Sequence, residues 1–153
     1  MTDCIREGSN KLAVEVYRFS TGSWLEDQDF WRMGGIVREV AVTALPNVHM
    51  RDLDVAVDLE NSYRDGVANV KIAVDKAESV SQKEKYKLSW KLNNEKREVI
   101  AAGEESFVNN KTQFAILVKN VQQWSAEIPY LYQLILKVED EMGECVETAA
   151  QFV

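Results

Sequence analysis

The residues best equipped for chemistry lie near the start of the chain. Between Trp24 and Arg38 stand three carboxylates, Glu26, Asp27 and Asp29, two arginines, Arg32 and Arg38, and the aromatics Trp24, Phe30 and Trp31. Carboxylates accept hydrogen bonds from hydroxyls, and indole faces cover the C–H faces of a sugar, so this mixture suits a carbohydrate better than a nucleic acid. The same residues also describe a surface loop whose aromatics fold back onto their own core. Glycoside hydrolysis needs two carboxyls flanking the bond, about 5–5.5 Å apart for retention and about 6.5–9.5 Å for inversion. Glu26, Asp27 and Asp29 supply carboxyls by count, but nothing in the segment would desolvate one and raise its pKa. The trio is therefore not expected to be catalytic.

Other chemistries find less. His49 is the sole histidine, read as a linker residue before the strands that follow, and it gives serine catalysis no base partner. Cys4 and Cys145 are far apart and make no metal spacing, and free thiols are expected in preference to a Cys4–Cys145 bridge. The net charge of −7 argues against nucleic acid and anionic membrane surfaces as partners. No apolar run approaches the roughly 20 residues of a membrane span. The polar, acidic start does not read as a signal peptide.

The elements that would position these residues are strands. Lys11–Arg18 alternates, with Leu12, Val14 and Val16 on one face, and so does Ile36–Thr43, with the irregular segment Phe19–Gly35 between them. Two strands and a long loop cannot build a core alone. From Val48 onward the alternation is sustained. Leu53–Leu59, Val70–Val74, Tyr86–Leu92, a weaker Val99–Phe107, Phe114–Val118, Tyr132–Val138 and Val146–Phe152 predict seven strands. Turns are expected at Arg64–Gly66, Asn93–Asn94, Asn109–Asn110 and Met142–Gly143. This spacing predicts an all-β, immunoglobulin-like antiparallel sandwich with Trp90 in its core. Trp124–Tyr132 reads as a sandwich corner, with Pro129 fixing the chain and a tyrosine bonded back to backbone, in preference to a sugar platform.

The run Leu25-Glu26-Asp27-Gln28-Asp29, with Trp31, Arg32, Gly35, Ile36, Arg38 and Val40, resembles a segment of family 2 glycoside hydrolases of the β-galactosidase type. Arg6–Val14 resembles the strand before it, and Trp124–Tyr132 resembles a motif near the end of their second domain, in the same order. The resemblance implies that residues 1–46 are the end of a jelly-roll sugar-binding domain and 47–153 an immunoglobulin-like domain. It puts both catalytic glutamates in a later (β/α)8 barrel, so this chain would be an inactive scaffold of an enzyme that hydrolyses terminal β-galactosides with retention. It gives Asp29 a galactosyl hydroxyl and a sodium ion to contact in the intact enzyme. It allows magnesium elsewhere in that enzyme and implies no cofactor in this segment. The short Gly103–Thr112 region departs from members whose long loop there completes a neighbouring subunit's site. Partners would be the remaining jelly roll, the barrel and the β-galactoside, with self-association through the exposed strands 11–18 and 36–43. A stand-alone carbohydrate-binding or adhesion module is the alternative.

Overall fold

The computed structural model describes residues 4–17, 35–81 and 83–153. It divides into two units, Met1–Thr43 and Ala44–Val153.

Seven strands make up the second unit: β1 (Val48–Glu60), β2 (Asp65–Lys76), β3 (Lys87–Asn93), β4 (Val99–Ser106), β5 (Lys111–Val118), β6 (Gln133–Glu139) and β7 (Cys145–Phe152). They form two antiparallel sheets, ordered β1-β2-β5 and β4-β3-β6-β7. β4 pairs with β3, so the sheets hold three and four strands, rather than the four and three of a constant-type immunoglobulin domain. Alternation explains the packing between them. Val70, Ile72, Val74 and Ile116 from one sheet meet Leu88, Leu92, Leu134, Leu136 and Val138 from the other, all buried. Each such side chain contributes about 1.5–3 kcal/mol by leaving water.

Trp90 shares its strand face with Leu88 and Leu92 and packs, partly buried, against the core. Its ring stacks on Phe114 of the opposite sheet at 5.2 Å. Its cross-strand partner is Gly103. A Cβ there would stand 2.6 Å from the indole, so the glycine is what lets the ring lie flat against β4.

The turns differ in detail from the sequence reading. The β1–β2 turn is Asn61–Tyr63, three residues with positive φ, while Asp65 and Gly66 already belong to β2. Gly66 lies close to Val121: a Cβ there would stand 3.3 Å from the valine side chain, tight enough that the valine would have to shift by a few tenths of an ångström. Asn93 ends β3, and the turn runs from Asn94, whose Oδ1 accepts from the Glu98 N–H at 2.9 Å, through Arg97 at φ 63°. Asn109 and Asn110 turn as expected, with φ of 51° and 61°. His49 is not a linker residue but the second residue of β1, its Nδ1 3.0 Å from the Pro46 carbonyl oxygen.

The larger correction concerns the first unit. Residues 11–17 and 36–43 form no strand. Leu12, Val14, Val16, Val40 and Val42 carry the alternation and are about half exposed or more. A strand needs a neighbour for its N–H and C=O groups, and none of the described residues pairs with these segments. Local order is retained at the Gly8–Asn10 turn, where Asn10 Oδ1 accepts from the Arg6 N–H and Nδ2 donates to the Arg6 carbonyl.

Candidate functional site

Asp29 lies outside the described residues, as do Trp24, Glu26, Asp27, Phe30, Trp31 and Arg32. Arg38 is described and exposed. The site reading of the acidic aromatic segment therefore rests on its sequence.

The sandwich carries the other sequence candidates. The Trp124–Tyr132 segment is a corner. The Tyr132 hydroxyl accepts the Gln122 N–H at 2.9 Å, ten residues upstream. Tyr132 and Val153 exchange backbone hydrogen bonds at 2.9 Å. The Ser125 hydroxyl accepts the Ile128 N–H at 3.0 Å, and the Tyr130 N–H reaches the Ile128 carbonyl across Pro129 at 2.8 Å. The tyrosine bonded back to backbone is therefore present, as the motif's spacing predicts.

At the opposite end of the sandwich the structure shows a groove that the strand pattern of the sequence does not mark. It encloses about 970 Å³ between the β2–β3 connection, the β4–β5 turn and the β6–β7 turn. Lys76, Lys83 and Lys85 line it opposite Asp140 and Glu141. The Tyr86 hydroxyl donates to Glu84 at 2.6 Å, and Lys76 Nζ lies 4.9 Å above the Tyr86 ring while donating to the Glu84 carbonyl at 2.6 Å. That hydrogen bond to Glu84, helped by burial and by the nearby charges of Asp140 and Glu141, pushes the tyrosine up to about 12. It stays a protonated donor at neutral pH and does not serve as a base. Asp140 is occupied in turn, accepting the N–H groups of Met142 and Glu144 at 2.8 and 2.9 Å. The Lys85 backbone N–H donates to the Glu141 carboxylate at 3.2 Å, so carboxylates that accept backbone N–H groups hold these turns. The signal in the sequence was the alternation of Lys83, Lys85 and Lys87 with Glu84 and Tyr86.

Among the described residues, no three His, Cys, Asp or Glu side chains gather to hold a metal. Both cysteines are free and exposed. No helix among the described residues is long and apolar enough to cross a membrane.

The strand order and the tyrosine corner define an immunoglobulin-like β-sandwich. Comparison with known proteins places that sandwich in a family. Residues 48–153 match Glycosyl hydrolases family 2, and residues 1–46 match Glycosyl hydrolases family 2, sugar binding domain. The chain belongs to glycosyl hydrolase family 2. A β-galactosidase of Halalkalibacterium halodurans is 40% identical over 145 residues, 95% of this chain and 14% of that protein. One from Clostridium acetobutylicum is 36% identical over 99% of this chain and 16% of its own length. One from Streptococcus thermophilus is 40% identical over 99% of this chain and 14% of its own length. The chain thus spans about one-seventh of the curated relatives it matches. Among solved structures, Bacteroides uniformis β-glucuronidase 3 aligns with a TM-score of 0.66 at 19% identity, over 82% of this chain and 15% of that one. Parabacteroides merdae β-glucuronidase aligns with a TM-score of 0.60 at 17% identity, over 71% and 13%. At that identity the likeness speaks for the fold.

Proposed function

We propose that this chain is a non-catalytic segment of a β-galactosidase-type glycoside hydrolase that cleaves terminal β-galactosides. Residues 1–46 serve as the end of its jelly-roll sugar-binding domain, and the sandwich at 47–153 as a rigid spacer. One observation carries the reading: relatives 36–40% identical over nearly the whole chain are β-galactosidases, and the chain spans only 14–16% of them. The sandwich suits a spacer because its buried side chains come from both sheets and pack into one core.

Asp29 belongs to the same proposal as the contact to a galactosyl hydroxyl and to sodium. A carboxylate is a fitting ligand for a hard cation, and the other ligands come from outside this segment. Exposed Leu12, Val14, Val16, Val37 and Val40 offer copies of the isolated chain a surface for self-association.

The test is a graft. The matched stretch of the Streptococcus thermophilus relative is replaced by this chain, and turnover of a chromogenic β-galactoside is measured. The graft is expected to be active, Asp29→Asn to lower its kcat/KM by about 10²-fold or more, and the 153-residue chain alone to turn over nothing above buffer. An inactive graft, or activity in the chain alone, contradicts the proposal.

A further inference from the structure

Among the described residues the two sheets end in β1 and β5 on one side of the sandwich core and in β4 and β7 on the other. An edge strand carries a row of N–H and C=O groups that its own sheet does not pair, and charges and bulges guard such rows against a second copy. A strand that pairs antiparallel with its own copy does so about a two-fold axis, so residues equally far from the axis face each other. β1 is guarded by charge. With the axis at Ala56, Asp54 faces Asp58 and Asp52 faces Glu60, and with the axis at Asp54 that carboxylate faces itself. It also carries a bulge between Met50 and Asp52. β5, centred on Ala115, sets Lys111 against Lys119, and moving the axis off centre shortens the overlap. In β4 the register shift leaves Ile100 without a partner, and Glu104 and Glu105 follow in the same strand.

The last part of β7 has neither guard. Thr148-Ala149-Ala150-Gln151-Phe152 holds no charge and no proline, and the register shift of β7 falls before it, between Cys145 and Glu147. Tyr132 and Val153 exchange backbone hydrogen bonds. In the antiparallel ladder Gln151 and Ala149 therefore turn their backbone groups to β6, and Thr148, Ala150 and Phe152 turn theirs to the open edge. These three are exposed, Phe152 to 64%. Their side chains share the outer face of the sheet, because buried Leu134, Leu136 and Val138 fill the inner face opposite Gln151, Ala149 and Glu147. With the axis at Ala150, each free N–H meets a free C=O, and Phe152 of one copy lies across from Thr148 of the other, with small Ala150 beside it. The neighbouring charges stay clear of one another. Glu147 faces Val153 across the axis, its carboxylate already accepting the Met50 N–H of β1. Lys137, the ladder partner of Thr148, is separated by Thr148 and Phe152 from uncharged Gln133 of the second copy.

We infer that β7 is a self-pairing edge: two copies of this chain join antiparallel along Thr148–Phe152, about a two-fold axis at Ala150, and merge their four-stranded sheets into one. The occupant is a second copy because this edge is its own complement in hydrogen bonds, charge and side-chain size, and the other three edges are not. The ribbon is smaller than a standard interface of about 1,200–2,000 Å², so the dimer is weak, populated at about 1 mM and absent at about 1 μM. The inference does not depend on the proposed function, and it uses a surface other than the exposed Leu12, Val14 and Val16.

The experiment is sedimentation velocity on the 153-residue chain and on its Ala150→Lys and Ala150→Glu variants, from about 1 μM to about 1 mM. The unaltered chain should pass from monomer to dimer. Either variant alone should weaken dimerisation by about tenfold or more, since like charges then meet on the axis, and an equimolar mixture of the two should pair again. Amide hydrogen exchange in the unaltered chain gives a reading that needs no variant: the Ala150 N–H should slow as concentration rises. A chain that stays monomeric at about 1 mM overturns the inference, as does a mixture of the two variants that fails to pair although both fold. Dimers that survive both substitutions and vanish in Leu12→Ser place the contact in the first unit and also overturn it. So do open-ended assemblies beyond the dimer, which mean that β7 pairs with a different edge.

Discussion

Leu12, Val14 and Val16 repeat the spacing of Leu134, Leu136 and Val138, and the two runs meet opposite fates. The first three are 49%, 56% and 49% exposed, and the last three 0%. β6 has β3 on one side and β7 on the other, and a facing sheet that covers its apolar side chains. Residues 11–17 have no paired neighbour among the described residues. Alternation specifies which face of a strand would be buried, but burial has to be supplied by something else. In the first unit the pattern thus marks a face that none of the described residues covers.

The sharpest way to test that difference is to truncate one leucine in each run. Leu136→Ala should lower the urea-unfolding stability of the sandwich by about 2–5 kcal/mol through lost burial and a cavity. Leu12→Ala should change it by no more than about 0.5 kcal/mol, as exposed substitutions do. Equal effects would place residues 11–17 in the cooperative unit. Within the sandwich, Gly103→Ala adds a single methyl group against the Trp90 ring. It should cost about 1–3 kcal/mol by overpacking and shift the near-ultraviolet signal of the indole. An unchanged midpoint would mean that the ring has room to move.

The smallest effect expected concerns the β5–β6 connection. The hydrogen bonds that Asp65 accepts, first from the Asn120 N–H and then from Asn61, hold its carboxyl below its ordinary value of 3.8, against a smaller opposing effect of burial. A lowered folded pKa adds stability that is present above that value and is lost as pH falls below it. Asp65→Asn should therefore flatten the acid limb of the stability profile below about pH 4 and alter little at pH 7 beyond the exchanged hydrogen bonds. A variant with the same acid limb would detach the connection from this carboxylate. At the other end, Tyr86 is raised to about 12, so its contribution is complete below pH 10 and fades as pH climbs through that value.

Much of the sandwich was legible in residue order. All seven strands fall where apolar residues alternate, and Asn109–Asn110 and Met142–Gly143 mark their turns. The Trp124–Tyr132 motif announced its corner because Pro129 bends the chain just ahead of β6 and places Tyr132 where its hydroxyl meets the Gln122 N–H. The β1–β2 turn was placed late, since Asp65 and Gly66 look like turn residues while φ turns positive at Asn61, Ser62 and Tyr63. Gly66 lies close to Val121, a contact that links residues distant in the chain and leaves no local mark. The groove around Tyr86 escaped notice for the same reason, being assembled from three separate connections.

By itself the sequence determined the strand class, the faces that seek burial and, through the acidic aromatic run at Leu25–Val40, the family. Those are local properties, carried by side-chain type and a period of two. Only the tertiary structure decided that β4 joins β3, that Gly103 is the seat of Trp90, that Trp124 is left in water, and that residues 11–17 remain unpaired among the described residues. Each of these depends on which surfaces meet across long separations in the chain, and hydrogen-bond pairing and packing between distant strands cannot be written into any one segment.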